Sequence, residues 1–144
     1  MNKKYCEHNG KRIAYVDEGN GDPIIFFHGN PTSSYLYRNI ISDLKGQYRC
    51  LAADMIGMGD SDKLDNSSHM TYTFQTHYEY LCSFIDSLNF DKKVTLVGQD
   101  WGGPLSIKWA REHSDQVRGI CCLLYTSDAA DDTPCVDLGG RRII

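Results

Sequence analysis

Short apolar runs alternate along the chain with longer segments of helical periodicity. Continuous apolar runs predict strands buried on both faces of a sheet, at residues 23–27, 48–53 and 94–97. A further strand is predicted from Val117 to about Leu123. An earlier hairpin is expected from the stretch around Tyr5 and the run Ile13-Ala14-Tyr15-Val16, which Asn and Gly residues flank.

Three segments have the spacing of amphipathic helices: residues 32–44, 74–88 and about 103–113. In the first of them, the apolar positions expected to share one face are Leu36, Ile40, Ile41 and Leu44. Residues 55–63 are rich in Gly and Asp and predict a loop. Strands that alternate with helices indicate the α/β class, with a mostly parallel sheet, flanking helices and right-handed crossovers.

Composition narrows the functional classes. The 144 residues carry a net charge of −4 and are 41% apolar, which predicts one globular domain. The chain has no basic patch for nucleic acid and no long apolar run for a membrane. No apolar segment follows the first lysines, so we expect no signal peptide and a cytoplasmic location. The six cysteines lack the spacing of metal ligands and are expected to be free thiols, with no metal and no cofactor.

The most informative pattern is Gly98-Gln99-Asp100-Trp101-Gly102, between a predicted strand and a predicted helix. This context is typical of the nucleophile elbow of α/β hydrolases, in which glycines flank the nucleophile because the backbone is tight. The central residue is Asp100 instead of the usual serine. An ionised carboxylate can attack a saturated carbon directly and form an alkyl ester, which water must then hydrolyse with a general base. The alternative is a simple loop with an acidic helix cap.

A second loop, His28-Gly29-Asn30-Pro31, ends the preceding buried strand. In this fold, that loop and the residue after the nucleophile each supply a backbone N–H to the oxyanion hole, here Asn30 and Trp101. Both residues also carry side-chain N–H donors, so together they predict a small anion site fit for a departing halide. Taken separately, Trp101 is better explained by core packing and Asn30 by turn chemistry. Taken together, each next to its required backbone position, they favour a functional site.

Three segments resemble haloalkane dehalogenases: residues 28–36, 54–63 and 99–103, within a likeness that runs from about Lys4 to Ile120. The resemblance implies Asp100 as the nucleophile and Asn30 with Trp101 as the halide-binding pair. It also implies a base from a loop near the C-terminus, so His28 is interpreted as part of its turn. The remaining histidines are expected on the surface or on helices: His8, His69, His77 and His113.

The resemblance further implies parts that this sequence is expected to lack. The family has eight strands, a helical cap, an acid and a catalytic histidine, so we predict a partial α/β-hydrolase fold that stops before the cap and last strands. Residues 1–121 are interpreted as the N-terminal part of the core domain, and residues 122–144 as a non-native tail that resembles a translated sequencing adapter. The alternative is a genuine C-terminal loop. On the first interpretation, Asp128 is not the missing acid.

The intact parent is therefore expected to hydrolyse haloalkanes to alcohol and halide through an Asp100 ester. Its partners would be a small halogenated hydrocarbon and water, and it would be a monomer. Three alternatives remain open. An epoxide hydrolase usually has an aromatic residue in place of Asn30, a luciferase-like oxygenase shares a similar Asn and Trp, and the chain itself is inert if no base is present.

Overall fold

Six strands form one mixed sheet in the computed structural model, which describes residues 2–65 and 67–123. The strands are β1 (Lys4–His8), β2 (Lys11–Glu18), β3 (Asp22–Phe27), β4 (Tyr48–Ala53), β5 (Val94–Gln99) and β6 (Val117–Leu123). Their order is β1-β2-β4-β3-β5-β6. Strands β1 and β2 form an antiparallel hairpin and β2 is antiparallel to β4, whereas β4, β3, β5 and β6 run parallel. The predicted hairpin and mostly parallel sheet are thus confirmed.

Three α-helices accompany the sheet: α1 (Arg38–Leu44), α2 (Phe74–Ser87) and α3 (Gly102–Glu112). The prediction of one continuous helix over residues 32–44 was wrong, because a separate 3₁₀ turn at Ser34–Tyr37 precedes α1. The tighter winding of that turn changes which side chains face the sheet. Leu36 and Ile40 are consequently 42% and 43% exposed, while Tyr37 and Ile41 are buried.

Each face of the sheet has its own apolar core, as the alternation of side chains along a strand requires. On one face, Phe27 and Leu96 pack with Phe84 of α2 and Trp109 of α3. On the other face, strand residues pack against Tyr37 and Ile41 around α1. None of the helices in the described ranges combines the length and apolar character that a membrane crossing requires.

The carboxyl ends of the parallel strands bring together residues that are distant in the sequence. His28 follows β3, Asp54 follows β4 and Asp100 follows β5. Because neighbouring parallel strands end at the same edge of a sheet, the three loops meet there. This edge is where the candidate site lies.

Candidate functional site

Asp100 occupies a sharp turn between β5 and α3. Its φ is +52°, in the left-handed region that side chains other than Gly rarely adopt. The flanking glycines leave no space for side chains: a Cβ at Gly98 would lie 2.3 Å from the carbonyl oxygen of Gly102. A Cβ at Gly102 would lie 2.1 Å from the carbonyl oxygen of Phe27. Steric crowding by backbone therefore explains both glycines of the pentapeptide.

Hydrogen bonds hold the turn from several directions. The Asp100 N–H donates to the carbonyl of Leu123 on β6, at 3.1 Å, and the Asp100 carbonyl accepts the N–H of Gly103 at 2.9 Å. The carboxylate is engaged through one oxygen: Oδ1 accepts the backbone N–H of Asn30 at 3.1 Å. Within residues 2–65 and 67–123, Oδ2 has no such bond. The loop after β3 thus holds Oδ1 in place, while Oδ2 accepts no hydrogen bond from the described residues.

The loop after β3 approaches Asp100 more closely than the sequence suggested. A Cβ at Gly29 would lie 2.4 Å from Asp100 Cβ and 2.6 Å from its Oδ1, so only glycine fits there. The Gly29 N–H donates to Oε1 of Gln99 at 3.1 Å. Consecutive amides of this loop are therefore bound by consecutive side chains of the elbow. Gly29 and Gln99 were missed as site residues because the contact joins segments about seventy positions apart.

His28 is fully buried and supports this loop from beneath. Its Nδ1–H donates to the Gly29 carbonyl at 2.8 Å, and its Nε2 accepts the N–H of Met55 at 2.9 Å. This pairing requires the neutral ring, since a proton on Nε2 would face another donor. Burial lowers the pKa of His28, which is consistent with that state. The geometry agrees with the interpretation of His28 as part of the turn.

Trp101 is 37% exposed and lies against two aromatic residues of α2. Its ring centroid is 6.2 Å from that of Phe74 and 5.9 Å from that of His77. Asn30 and Trp101 line the same open groove, of about 390 Å³, together with apolar residues such as Ile56 and Met58. The structure thus brings Asn30 and Trp101 together as predicted, and Asn30 contacts Asp100 directly.

Asp54 is a second carboxylate at this edge, and unlike Asp100 it is fully buried. It accepts the N–H of Ser34 at 2.7 Å and that of Asp60 at 2.9 Å, and it pairs with the ammonium group of Lys3. Burial by itself would raise the pKa of Asp54, but these hydrogen bonds outweigh burial and hold the pKa below its usual range. These bonds connect Asp54 to the segment before β1, to the 3₁₀ turn after β3 and to the loop after β4. Asp54 therefore holds together the segments around the site.

The other histidines and the cysteines have mixed outcomes. His77 lies on a helix, as predicted, but it is buried, with only 3% of its surface exposed. Five cysteines are free thiols in the part of the chain that is described, and Cys135 lies outside it. Among those residues, no group of three or more His, Cys, Asp or Glu side chains is arranged to hold a metal ion.

Strand β6 crosses the predicted boundary between core and tail. Cys122 and Leu123 pair in parallel with Gly98 and Gln99, so the strand continues two residues beyond 121. The remaining part of the predicted tail, residues 124–144 with Asp128, lies outside the described residues. Its interpretation as a non-native segment therefore stays a prediction.

Comparison with known proteins defines the class. Residues 22–133 match the family described as the alpha/beta hydrolase fold, and the chain belongs to that family. A haloalkane dehalogenase from Sphingobium indicum is 52% identical over 118 residues, which are 82% of this chain and 40% of that protein. A cis-3-alkyl-4-alkyloxetan-2-one decarboxylase from Shewanella oneidensis is 36% identical over 121 residues, which are 84% of this chain and 38% of that protein.

A solved structure gives the same picture. The crystal structure of the haloalkane dehalogenase DatA from Agrobacterium tumefaciens superposes with a TM-score of 0.77 at 40% sequence identity. The match covers 84% of this chain and 40% of that one. The chain therefore spans about 40% of the length of the relatives that it matches.

Proposed function

We propose that this chain carries the nucleophilic half of a haloalkane dehalogenase, and that the whole enzyme hydrolyses haloalkanes to alcohol and halide. The observation that carries the proposal is the Asp100 carboxylate on a positive-φ turn, with Oδ1 bound by the Asn30 N–H and Oδ2 unengaged within the described ranges. The 52% identity to a haloalkane dehalogenase supports it.

The first half-reaction needs no base. Oδ2 of Asp100 attacks the carbon that bears the halogen, a carbon–oxygen bond forms, and the carbon–halogen electron pair leaves with the halide. Asn30 and Trp101 line one groove beside the nucleophile, and their side-chain N–H groups are the donors that we assign to the departing halide. The product is an alkyl ester in which Oδ1 has become the carbonyl oxygen.

The second half-reaction uses Oδ1. When water adds to the carbonyl carbon of the ester, negative charge develops on Oδ1. The Asn30 N–H that is already bonded to Oδ1 stabilises this charge. Collapse of this adduct expels the alcohol and regenerates the carboxylate. A general base must take the proton from water. His28 is unsuitable because both of its nitrogens are committed, and we propose that the base lies in a part of the enzyme that this chain does not contain.

Other activities on the same scaffold are less well supported. Asn30 argues against an epoxide hydrolase, since an aromatic residue usually stands at that position in the relatives of those enzymes. A luciferase-like oxygenase shares a similar Asn and Trp, so these two residues do not separate it from a dehalogenase. The relative named as an oxetanone decarboxylase is 36% identical, well below the 52% of the dehalogenase.

The test separates the two half-reactions. The 144-residue chain is incubated with excess 1-bromobutane, bromide release is measured, and the protein is analysed by mass spectrometry. We expect at most one bromide per chain and a butyl adduct on the peptide that contains Asp100. Asp100→Asn, which preserves the shape of the side chain, should abolish both. Sustained release that depends on Asp100 would show that a base is present, and an absence of any adduct on folded protein would contradict the proposed chemistry.

A further inference from the structure

The inference concerns His77, a residue to which the mechanism above gives no role. It lies in the first turn of α2, where the Thr73 hydroxyl accepts the N–H of Thr76 at 3.2 Å and the Thr73 carbonyl accepts the N–H of His77 at 3.0 Å. These bonds define where the helix begins and therefore the direction in which the imidazole leaves it. The ring lies beneath the site and is buried, with only 3% of the residue exposed.

Two aromatic side chains enclose the imidazole. Tyr72 stacks on it with a centroid distance of 6.0 Å and an interplanar angle of 26°. Trp101 meets it nearly at right angles, at 5.9 Å and 84°, which is a favourable edge-to-face arrangement. Phe74, from the same helical turn, also contacts the indole, at 6.2 Å. The aromatic contacts that orient Trp101 thus come largely from one turn of α2, through Phe74 and His77.

His77 also separates two spaces. The open groove that contains Asn30 and Trp101 lies on one side, and an internal cavity of about 20 Å³ lies on the other. Among the residues that the structure describes, His77 and Ile56 are the two that line both spaces. The imidazole is therefore part of the floor of the groove, directly below the predicted anion-binding side chains.

The imidazole is held by packing. Its Nδ1 is buried and has no hydrogen-bond partner among the residues that the structure describes. Burial, and to a smaller extent the proximity of His28, lowers the pKa of His77, so the ring is held in its neutral form. A neutral ring without polar anchors acts on its neighbours through shape and through its aromatic edge.

We propose that His77 is a positioning residue, whose ring fixes the indole of Trp101 toward the groove beside Asn30. The link to halide binding rests on the proposed function, whereas the anchoring of the indole does not. In this arrangement, removal of the ring lets the indole turn away from the groove or drop into the space left behind. A ring of similar size at position 77 preserves the orientation.

The experiment labels the full chain with fluorotryptophan and records fluorine NMR spectra. The chain has two tryptophans, so Trp101→Phe assigns the signals and Trp109 serves as an internal reference. We expect His77→Ala to move the Trp101 signal toward that of the free amino acid while the Trp109 signal stays in place. His77→Phe should retain the wild-type position. Ile85→Ala, an equally buried truncation on α2, is the matched control and should leave the Trp101 signal unchanged.

Bromide titration of the same samples connects the anchoring to the site. The bromide Kd, followed on the Trp101 signal, should rise by about three- to tenfold in His77→Ala, the range expected for one aromatic edge contact, and stay near wild type in His77→Phe. An unchanged Trp101 signal in His77→Ala, or an equal shift in Ile85→Ala, would overturn the proposal. If His77→Ala does not fold, His77→Leu, which keeps bulk without a planar ring, decides on the same criteria. Wild-type protein that binds no bromide would refute the proposed halide site, while the spectra would still decide the role of His77.

Discussion

Replacement of Gly29 by alanine tests the close approach between the loop after β3 and Asp100. The added methyl group would lie 2.4 Å from Asp100 Cβ, 2.6 Å from Oδ1 and 2.8 Å from Oε1 of Gln99. Such distances are not tolerated, so either the loop or the elbow must move. The movement would stretch the two hydrogen bonds between them, from Gly29 to Gln99 and from Asn30 to Asp100, both 3.1 Å long in the native arrangement.

The expected cost follows from these contacts. Overpacking of a tight site typically costs about 1–3 kcal/mol, and each weakened hydrogen bond adds about 1 kcal/mol. With two such bonds weakened, we therefore expect Gly29→Ala to lower the free energy of unfolding by about 3–5 kcal/mol, measured by urea denaturation. Ester formation with 1-bromobutane should also slow under conditions where the variant is still folded, because the same displacement moves the attacking carboxylate.

A matched glycine supplies the control. A Cβ added at Gly46 would have no atom within 4 Å, and its backbone is outside the left-handed region, so Gly46→Ala should change stability by no more than about 0.5 kcal/mol. Equal stabilities of the two variants would show that the loop tolerates a side chain at position 29 and that the contact with Asp100 does not constrain the site.

Three further outcomes are expected. Burial lowers the pKa of His28 below 6.5, as it does that of His77, so the unfolded chain binds these protons first. The contribution of His28 to the free energy of unfolding should therefore be constant above about pH 6.5 and decrease below it. His28→Gln should flatten that decrease in urea titrations, and an unaltered slope would contradict the assignment. Gln99→Leu leaves the Gly29 N–H without an acceptor and should cost about 1–3 kcal/mol in thermal unfolding, whereas Gln99→Glu should cost less; equal losses would argue against the bond. A chain of residues 1–123 retains the Leu123 carbonyl and should keep the stability of the full chain within about 0.5 kcal/mol, and a larger loss would contradict the non-native interpretation of the tail.

The spacing of residues that are close in the sequence was enough to predict the strands and the tight turn that position the site. The apolar runs identified the strands, and the spacing of Gly98, Asp100 and Gly102 after one of them predicted a tight turn. These features depend on neighbours in the sequence: a buried parallel strand needs a continuous apolar run, and a crowded turn needs glycine. The structure adds the reason for Gly98 and Gly102, since an added Cβ would lie 2.3 Å and 2.1 Å from a backbone carbonyl oxygen, far inside van der Waals contact.

The parts that escaped prediction depend on contacts between distant segments. The sequence predicted that the loop after β3 and the elbow share one site, but it did not indicate that Gly29 itself lies against the Asp100 side chain. That contact forms only when β3 and β5 pair. His77 has the spacing of an ordinary helical residue, and its burial follows from its packing against Tyr72 and Trp101, which come from other segments. Leu36 and Ile40 were expected to share one face with Ile41 on a uniform helical period, which the 3₁₀ turn interrupts.

The elbow depends on three adjacent strands. Gly102 packs against the end of β3, the Asp100 N–H is bound by the end of β6, and the Asp100 carboxylate is bound by the loop after β3. Together with the N–H of Gly103 in α3, the adjacent strands β3, β5 and β6 therefore supply the contacts that define the backbone position of Asp100. On the proposed mechanism, ester formation depends on these strands and on Trp101, whereas hydrolysis depends in addition on a base from elsewhere. The two steps draw on different parts of the fold, so we expect them to be separable by experiment.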